Sequence, residues 1–270
     1  MIDTQLLPAL REINISLAAF PGLAHLDAAL AAIDGVRRCA LTEPAFGPLS
    51  TCHMQLVPQN RGQMTESFAQ SLCDAYPDIK FRLHANVRVL QRAVRADLSG
   101  FDEHFAWFEQ AGRINRLLGA TGYTAHSGYR AESSMPQMLD NARRCVDLFE
   151  CRVGIEGQYP TQAGELLVAS WAEYRQLFES GLDYALDLSH LNILAVKTRV
   201  REDALVAEML SSAQCIEVHI SDNDGSGDWH QTCERRPWWA DLLMQTHPDA
   251  VIFSEGNQMR KRVPQAVAEV

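Results

Sequence analysis

Six short apolar runs of this 270-residue chain each end on a histidine or a carboxylate. FRLHAN carries His84, TAHSGYR carries His126 and GIEGQYP carries Glu156. ALDLSHLN carries Asp187 and His190. EVHISDNDGSGDWH carries His219 and then Asp228 and His230, and IFSEGN carries Glu255. Taken singly, each has a plainer reading. A histidine after a strand is more often a satisfied polar group than a ligand. A strand-end Asp or Glu more often caps a helix or sits in solvent.

Taken together, five imidazoles and four carboxylates gathered at one place would repel one another and resist desolvation. Arg130 is the nearest cation by sequence, and one guanidinium cannot offset four carboxylates. Divalent metal ions would. Imidazole suits Zn, Fe, Cu or Ni and carboxylates suit harder ions, so the mixed set fits Fe, Zn or Mn. One ion takes about four to six ligands, whereas nine support two or three ions that share a bridging carboxylate. Glu156, central in the series, is the natural bridge. Asp228 and His230 lie two apart in an irregular loop, where both can face one ion.

The elements that must deliver these residues are legible as alternating runs. Strand-like segments cover residues 13–18, 38–42, 79–84, 122–126, 152–156, 183–188, 215–220 and 250–254. Between them, apolar residues recur at helical spacing over 23–33, 64–75, 101–118, 135–149, 165–179, 201–211 and 237–246. Pro136 and Pro237 fall near helix starts, where proline is tolerated. Eight strands alternating with helices over one domain, residues 1–270, predict an α/β (β/α)8 TIM barrel. In that fold the C-terminal strand ends converge on one mouth. An open doubly wound sheet is the competing architecture, but no GxGxxG follows the first strand. Residues 47–62 read as a long loop on the functional face.

Composition bounds the partners. Lys and Arg number 24 against 34 Asp and Glu, a formal net charge of −10. That argues against a nucleic-acid ligand, whose affinity rests on basic residues. The basic C-terminal MRKRVPQ reads as a solvated tail. Seven cysteines without a CxxC pair fit a reducing, cytoplasmic setting rather than a disulfide framework. No leader-like N-terminus and no apolar stretch of about 18 residues is read, so no membrane role is expected. Near the ligand segments, Arg130 is expected to bind a substrate carboxylate or phosphate, or to pair with a site carboxylate. Tyr159, with Trp229, is expected to wall a substrate pocket, while Trp238 and Trp239 read as packing. Glu43 could be a substrate-facing or supporting group, and Asp222 and Asp224 read as turn residues.

The set His84, His126, Glu156, Asp187, His190, His219, Asp228, His230 and Glu255 resembles that of the xylose-isomerase-like barrel superfamily, over about residues 80–257. The superfamily includes single-metal sugar isomerases and epimerases, endonucleases of the endonuclease IV type with three zinc ions, and multinuclear non-heme iron enzymes that modify peptides, as in methanobactin biosynthesis. FRLHANVRVL, IEGQYP and ALDLSHLNI look most like the iron branch in layout, and HISDNDGSGDWH also looks like the sugar-isomerase branch. Gly157 stands where the iron branch has Asn, and Glu255-Gly256-Asn257 where it has Glu-Arg-Asp. The resemblance implies two or three ions, iron favoured and zinc or manganese the alternatives. It also implies oxidation of a peptide or small-molecule substrate, with a separate peptide-binding partner protein. The alternative chemistry is a single-metal sugar or keto-acid isomerase or epimerase with Glu156 and Glu255 as the catalytic proton-transfer pair. A tri-zinc phosphodiesterase of the endonuclease IV type is the third.

Overall fold

Strands joined by helical crossovers pair in parallel, in a sheet whose faces are both covered. The computed structural model describes residues 11–259 and has that architecture. In chain order the elements are β1 (Ile13–Ser16), α1 (His25–Arg37), β2 (Thr42–Glu43), β3 (Gly47–Pro48), β4 (Ser50–Leu56), α2 (Glu66–Ala75), β5 (Lys80–Leu83) and α3 (Phe105–Leu117). They continue with β6 (Gly122–His126), α4 (Met135–Phe149), β7 (Arg152–Glu156), α5 (Trp171–Glu179), β8 (Tyr184–Asp187), α6 (Leu188–Thr198), α7 (Asp203–Ser211), β9 (Cys215–Ile220) and β10 (Val251–Ser254). Eight strands form one parallel sheet in the order β5-β4-β1-β10-β9-β8-β7-β6, a nearly closed (β/α)8 barrel. The ladder's two ends, β5 and β6, are bridged by side chains, with the Arg82 guanidinium lying against Gly122.

Four expectations need correction. The second barrel strand is β4, not residues 38–42. Cys39 adopts a left-handed φ of 52° just after α1, and the chain then makes the small β2–β3 hairpin. The inward positions of β4, His53 and Gln55, are polar, so the run STCHMQL lacks the apolar pattern of a strand and reads as a loop. α6 is a helix beyond those expected from the sequence pattern. It follows β8 without a break, and Asp187 caps it by accepting from the backbone N–H groups of Ser189 (2.7 Å) and His190 (3.1 Å). The helix expected over 237–246 is a single 3-10 turn at Leu242–Gln245. α5 starts at Trp171, capped by Ser170, rather than at residue 165.

The outer layer is apolar and well packed. Phe149 of α4 stacks on Tyr123 of β6 at 4.2 Å, and the buried Trp107 donates to the Val87 carbonyl at 3.1 Å. Inside the barrel the period of two places one layer on Gln55, Arg82, Thr124 and Glu217. The next layer up, two residues on, holds His84, His126 and His219, and the C-terminal ends of β7 and β8 add Glu156 and Asp187. Among the described residues no helix is long and apolar enough to cross a membrane. The readings of the first ten residues and of the basic tail beyond Met259 fall outside the described residues.

Candidate metal centre

The barrel register brings the nine strand-end residues into one chain of donor atoms. Glu156 is the hub. Its Oε2 lies 2.9 Å from His84 Nε2, 3.6 Å from His219 Nδ1 and 3.9 Å from His126 Nε2, and its Oε1 lies 3.6 Å from His190 Nδ1. His190 Nε2 is 3.3 Å from Asp187 Oδ2 and 3.5 Å from Asp228 Oδ2. His230 Nε2 is 2.9 Å from Asp228 Oδ2 and 3.7 Å from Glu255 Oε2, and Glu255 Oε1 closes the circuit 4.0 Å from His219 Nδ1. Ligands held roughly 2.0–2.2 Å from a shared ion stand about 3–3.6 Å from one another. In three overlapping triples the donor atoms all lie within 4.8 Å of one another, somewhat wider than that: His84, His126 and Glu156; His84, His219 and Glu255; Glu156, Asp187 and His190. His84, Glu156, Asp187, His190, His219 and Glu255 are buried; His126 is partly buried. Asp228 and His230 ride on the more exposed β9–β10 connection, where His230 takes a left-handed φ of 46°.

The site's electrostatics are those of a cage for cations. Burial would raise the Glu156 carboxyl, but the neighbouring His219 and His84 charges hold it well below the usual range. Burial, aided by the charges of Asp228 and Glu255, lifts Asp187 to about 6 against the pull of His190. The imidazoles move the other way. Burial would lower His219, yet the Glu255 and Glu156 carboxylates raise it to about 10. Burial likewise opposes His230, but its hydrogen bond to Asp228 and the Glu255 charge raise it to about 9. His190 and His126 are raised for the same reason. Protons thus balance the carboxylates, and divalent ions at these nitrogens would take the protons' place. The buried Nδ1 of His219 has no hydrogen-bond partner, as a nitrogen meant for an ion would. The donor set and this orphaned atom fit divalent metals.

Supporting groups that sequence alone did not single out fix the imidazoles. The buried Asp97, on the loop before α3, has its Oδ1 3.4 Å from His126 Nδ1, leaving Nε2 to face Glu156. His190 Nδ1 donates to the Gly157 carbonyl at 3.0 Å, leaving Nε2 for Asp187 and Asp228. Packing leaves no room for a side chain at Gly157 or at Gly256. A Cβ on Gly157 would overlap the buried Tyr174 ring, whose hydroxyl donates to the Gln158 carbonyl. A Cβ on Gly256 would overlap Glu43, which is buried and accepts from the Cys233 N–H and the Ser254 hydroxyl. Glu43 therefore ties the β2–β3 hairpin to the end of β10, beside Glu255.

A cavity of about 200 Å3 opens above the donors. Besides site residues it is lined by Pro58, Gln59, Gln158 and Tyr159, and among the described residues by no Lys or Arg. Tyr159 stands 4.8 Å from the His190 ring, between ring centres. Arg130 lies outside the lining, its guanidinium bound to Glu173 at 2.6 Å and to the Gly164 carbonyl at 3.2 Å. Trp239 is buried against Phe46, Trp238 donates to Asn192, and Trp229 is half exposed with its N–H on Asp224. Among the described residues all seven cysteines are unpaired.

No family model matches the chain, and no curated protein matches it. Solved structures do. A D-tagatose 3-epimerase-like protein is similar with a TM-score of 0.58 at 14% identity, over 92% of this chain and 91% of that one. An AP endonuclease, family 2, from Brucella melitensis matches with a TM-score of 0.58 at 14% identity, over 93% and 94%. A 3-keto-D-glucoside 4-epimerase from E. coli matches with a TM-score of 0.54 at 13% identity, over 94% of each. At such identities the likeness shows the fold alone, a (β/α)8 TIM barrel.

Proposed function

We propose that the chain is a metal-dependent enzyme whose nine donors hold two or three divalent ions, iron favoured, and that it oxidises a peptide or small molecule. The observation that carries this reading is the position of Glu156, whose two oxygens face four imidazoles from four different elements. A carboxylate so surrounded suits a bridge between ions, whereas one ion cannot use all nine donors. His84, His126 and Glu156 would hold one ion; Glu156, Asp187, His219 and Glu255 a second; His190, Asp228 and His230 a third. Bound iron would supply one-electron chemistry with dioxygen that no side chain here can provide. The protein's own part is to fix the donors, to wall the cavity with Tyr159, Gln59 and Gln158, and to keep water from the buried end.

Among the described residues the lining beyond the donors is uncharged, which suits a neutral or ion-bound substrate. It speaks against a phosphodiester backbone, for which cationic contacts would be expected. Arg130, engaged with Glu173, would reach substrate only by leaving that pair. A peptide-binding partner protein belongs to the same reading.

A second reading rests on the four most buried donors. Glu156, Asp187, His219 and Glu255 alone suffice for a one-metal isomerase or epimerase, with the two glutamates flanking a substrate C–H. Metal content separates the two. Anaerobic reconstitution should give about two to three irons per chain under the first reading and about one Mn, Co or Mg under the second. Three zincs would favour phosphodiester hydrolysis. His126→Ala and His230→Ala should each lower a multinuclear stoichiometry by about one, since a site stripped of one of few ligands binds far more weakly. An unchanged ratio of about one would promote the isomerase.

A further inference from the structure

The barrel interior beneath the site is normally filled by branched aliphatic side chains. Here it holds an ion pair. Arg82 of β5 reaches across to Glu217 of β9, Nη1 to Oε2 at 2.7 Å, and both residues are buried. The other carboxylate oxygen, Oε1, gathers three more groups. Thr124 donates its hydroxyl at 2.7 Å, the Gln55 amide donates at 2.6 Å, and His219 Nε2 stands at 2.7 Å. Burying such a pair costs several kcal/mol of desolvation per ion, and apolar residues of similar volume often serve stability as well or better. Stability alone is therefore a weak reason for it.

The two nitrogens of His219 differ in the way that gives the network a use. Nε2 stands 2.7 Å from Glu217 Oε1, its shorter contact, and 3.0 Å from the Gln55 amide nitrogen, which already donates to that same oxygen at 2.6 Å. Nδ1 is buried, has no hydrogen-bond partner, and faces Glu156 and Glu255 at the mouth. A carboxylate can only accept, so it selects the ring form with hydrogen on Nε2 and a lone pair on Nδ1. Resting on the metal reading above, we infer that Glu217 is a positioning residue that presents His219 Nδ1 to the central ion. Arg82, Thr124 and Gln55 fix the carboxylate in turn. Arg82 also cancels its charge, so His219 gains an oriented acceptor without a further net negative charge beneath the ions. The role reaches the site through a ring that Glu217 holds from below, two residues earlier on the same strand.

The experiment uses the full chain labelled with 15N-histidine and loaded with zinc, a diamagnetic probe. Long-range 1H–15N spectra report which ring nitrogen carries hydrogen and which binds metal, with His219→Gln to assign the signal. The expected result is Nε2–H and Nδ1–zinc at His219. The reverse pattern, or a His219 ring that does not sense zinc, overturns the inference. A second arm replaces the ion pair by apolar residues, Arg82→Met with Glu217→Leu, which removes the acceptor without leaving a lone buried charge. Zinc affinity should fall about 10- to 100-fold, and the Nε2–H signal should broaden or move. Arg82→Met with Glu217→Gln restores a neutral acceptor and should restore the tautomer. A Leu variant that binds zinc within twofold of the parent, with the same tautomer, overturns the inference and leaves the metal reading standing. A parent chain that binds no zinc, iron or manganese overturns both.

Discussion

Filling the site with divalent ions should expel protons. Without an ion, His219 titrates at about 10 and His230 at about 9, so both are imidazolium at pH 7.5. An ion needs their lone pairs. Each unit between pKa and pH costs about 1.4 kcal/mol, so freeing the two rings at pH 7.5 costs about 3 kcal/mol at His219 and about 2 at His230. The sign follows from the raised values. Binding is weakest at low pH, where the protons are held most firmly, and strengthens as pH rises toward 9. One proton displaced by each of the two ions at these rings gives about a tenfold gain in that ion's apparent affinity per pH unit, about a hundredfold for the two together. His190 and His126, also raised, can only add to this. Calorimetric zinc titration in two buffers of different ionisation enthalpy measures the release, and repetition at pH 6.5 and 7.5 measures the slope. Binding heats that ignore the buffer, with an affinity flat across that unit, would refute the electrostatic account of the site.

Three further outcomes are expected. Glu156→Ala should lose bound metal and activity yet keep a cooperative thermal transition, because the barrel core does not depend on the mouth; full metal content in that variant would remove Glu156 from the ligands. His25, at the first position of α1, is 3% exposed, has no partner on either ring nitrogen, and is pushed by burial down to about 4. The unfolded chain therefore takes up its proton first, stability falls as pH drops below about 6.5, and about 2 kcal/mol is lost by pH 5; urea unfolding of metal-free protein should show this loss abolished in His25→Phe, and an identical pH dependence in both proteins would count against it. Gly157→Asn should destabilise by more than about 2 kcal/mol, because its Cβ meets the Tyr174 ring; denaturant midpoints of Gly157→Asn and of Gly157→Asn with Tyr174→Ala would test it, the second recovering part of the loss.

The strand ends were readable because each pairs a buried apolar run with an abrupt polar residue, as in FRLH, GIE and IFSE. β4 was not, because its inward side chains belong to the polar interior and erase the apolar signal. α6 was hidden because ALDLSHLNILAV runs from strand to helix without a turn residue, with Asp187 serving as both strand end and cap. The donors themselves stood out by type. Their supports did not. Asp97 meets His126 from a distant loop, and Glu217 looks from sequence like any charged residue two places before a histidine. Only the register, which turns residues 217 and 219 to the same inner face, gives it a meaning. Arg130 stood next to the right segment, but Glu173 of α5, far along the chain, claims its guanidinium.

The claim that one carboxylate links several ions can be tested by anomalous diffraction at the iron edge, from crystals of anaerobically reconstituted protein. The account predicts two or three iron peaks at the barrel mouth, two of them about 2.0–2.3 Å from the oxygens of Glu156. A single peak bounded by Glu156, Asp187, His219 and Glu255, with His84, His126, Asp228 and His230 turned away from any metal, would contradict it.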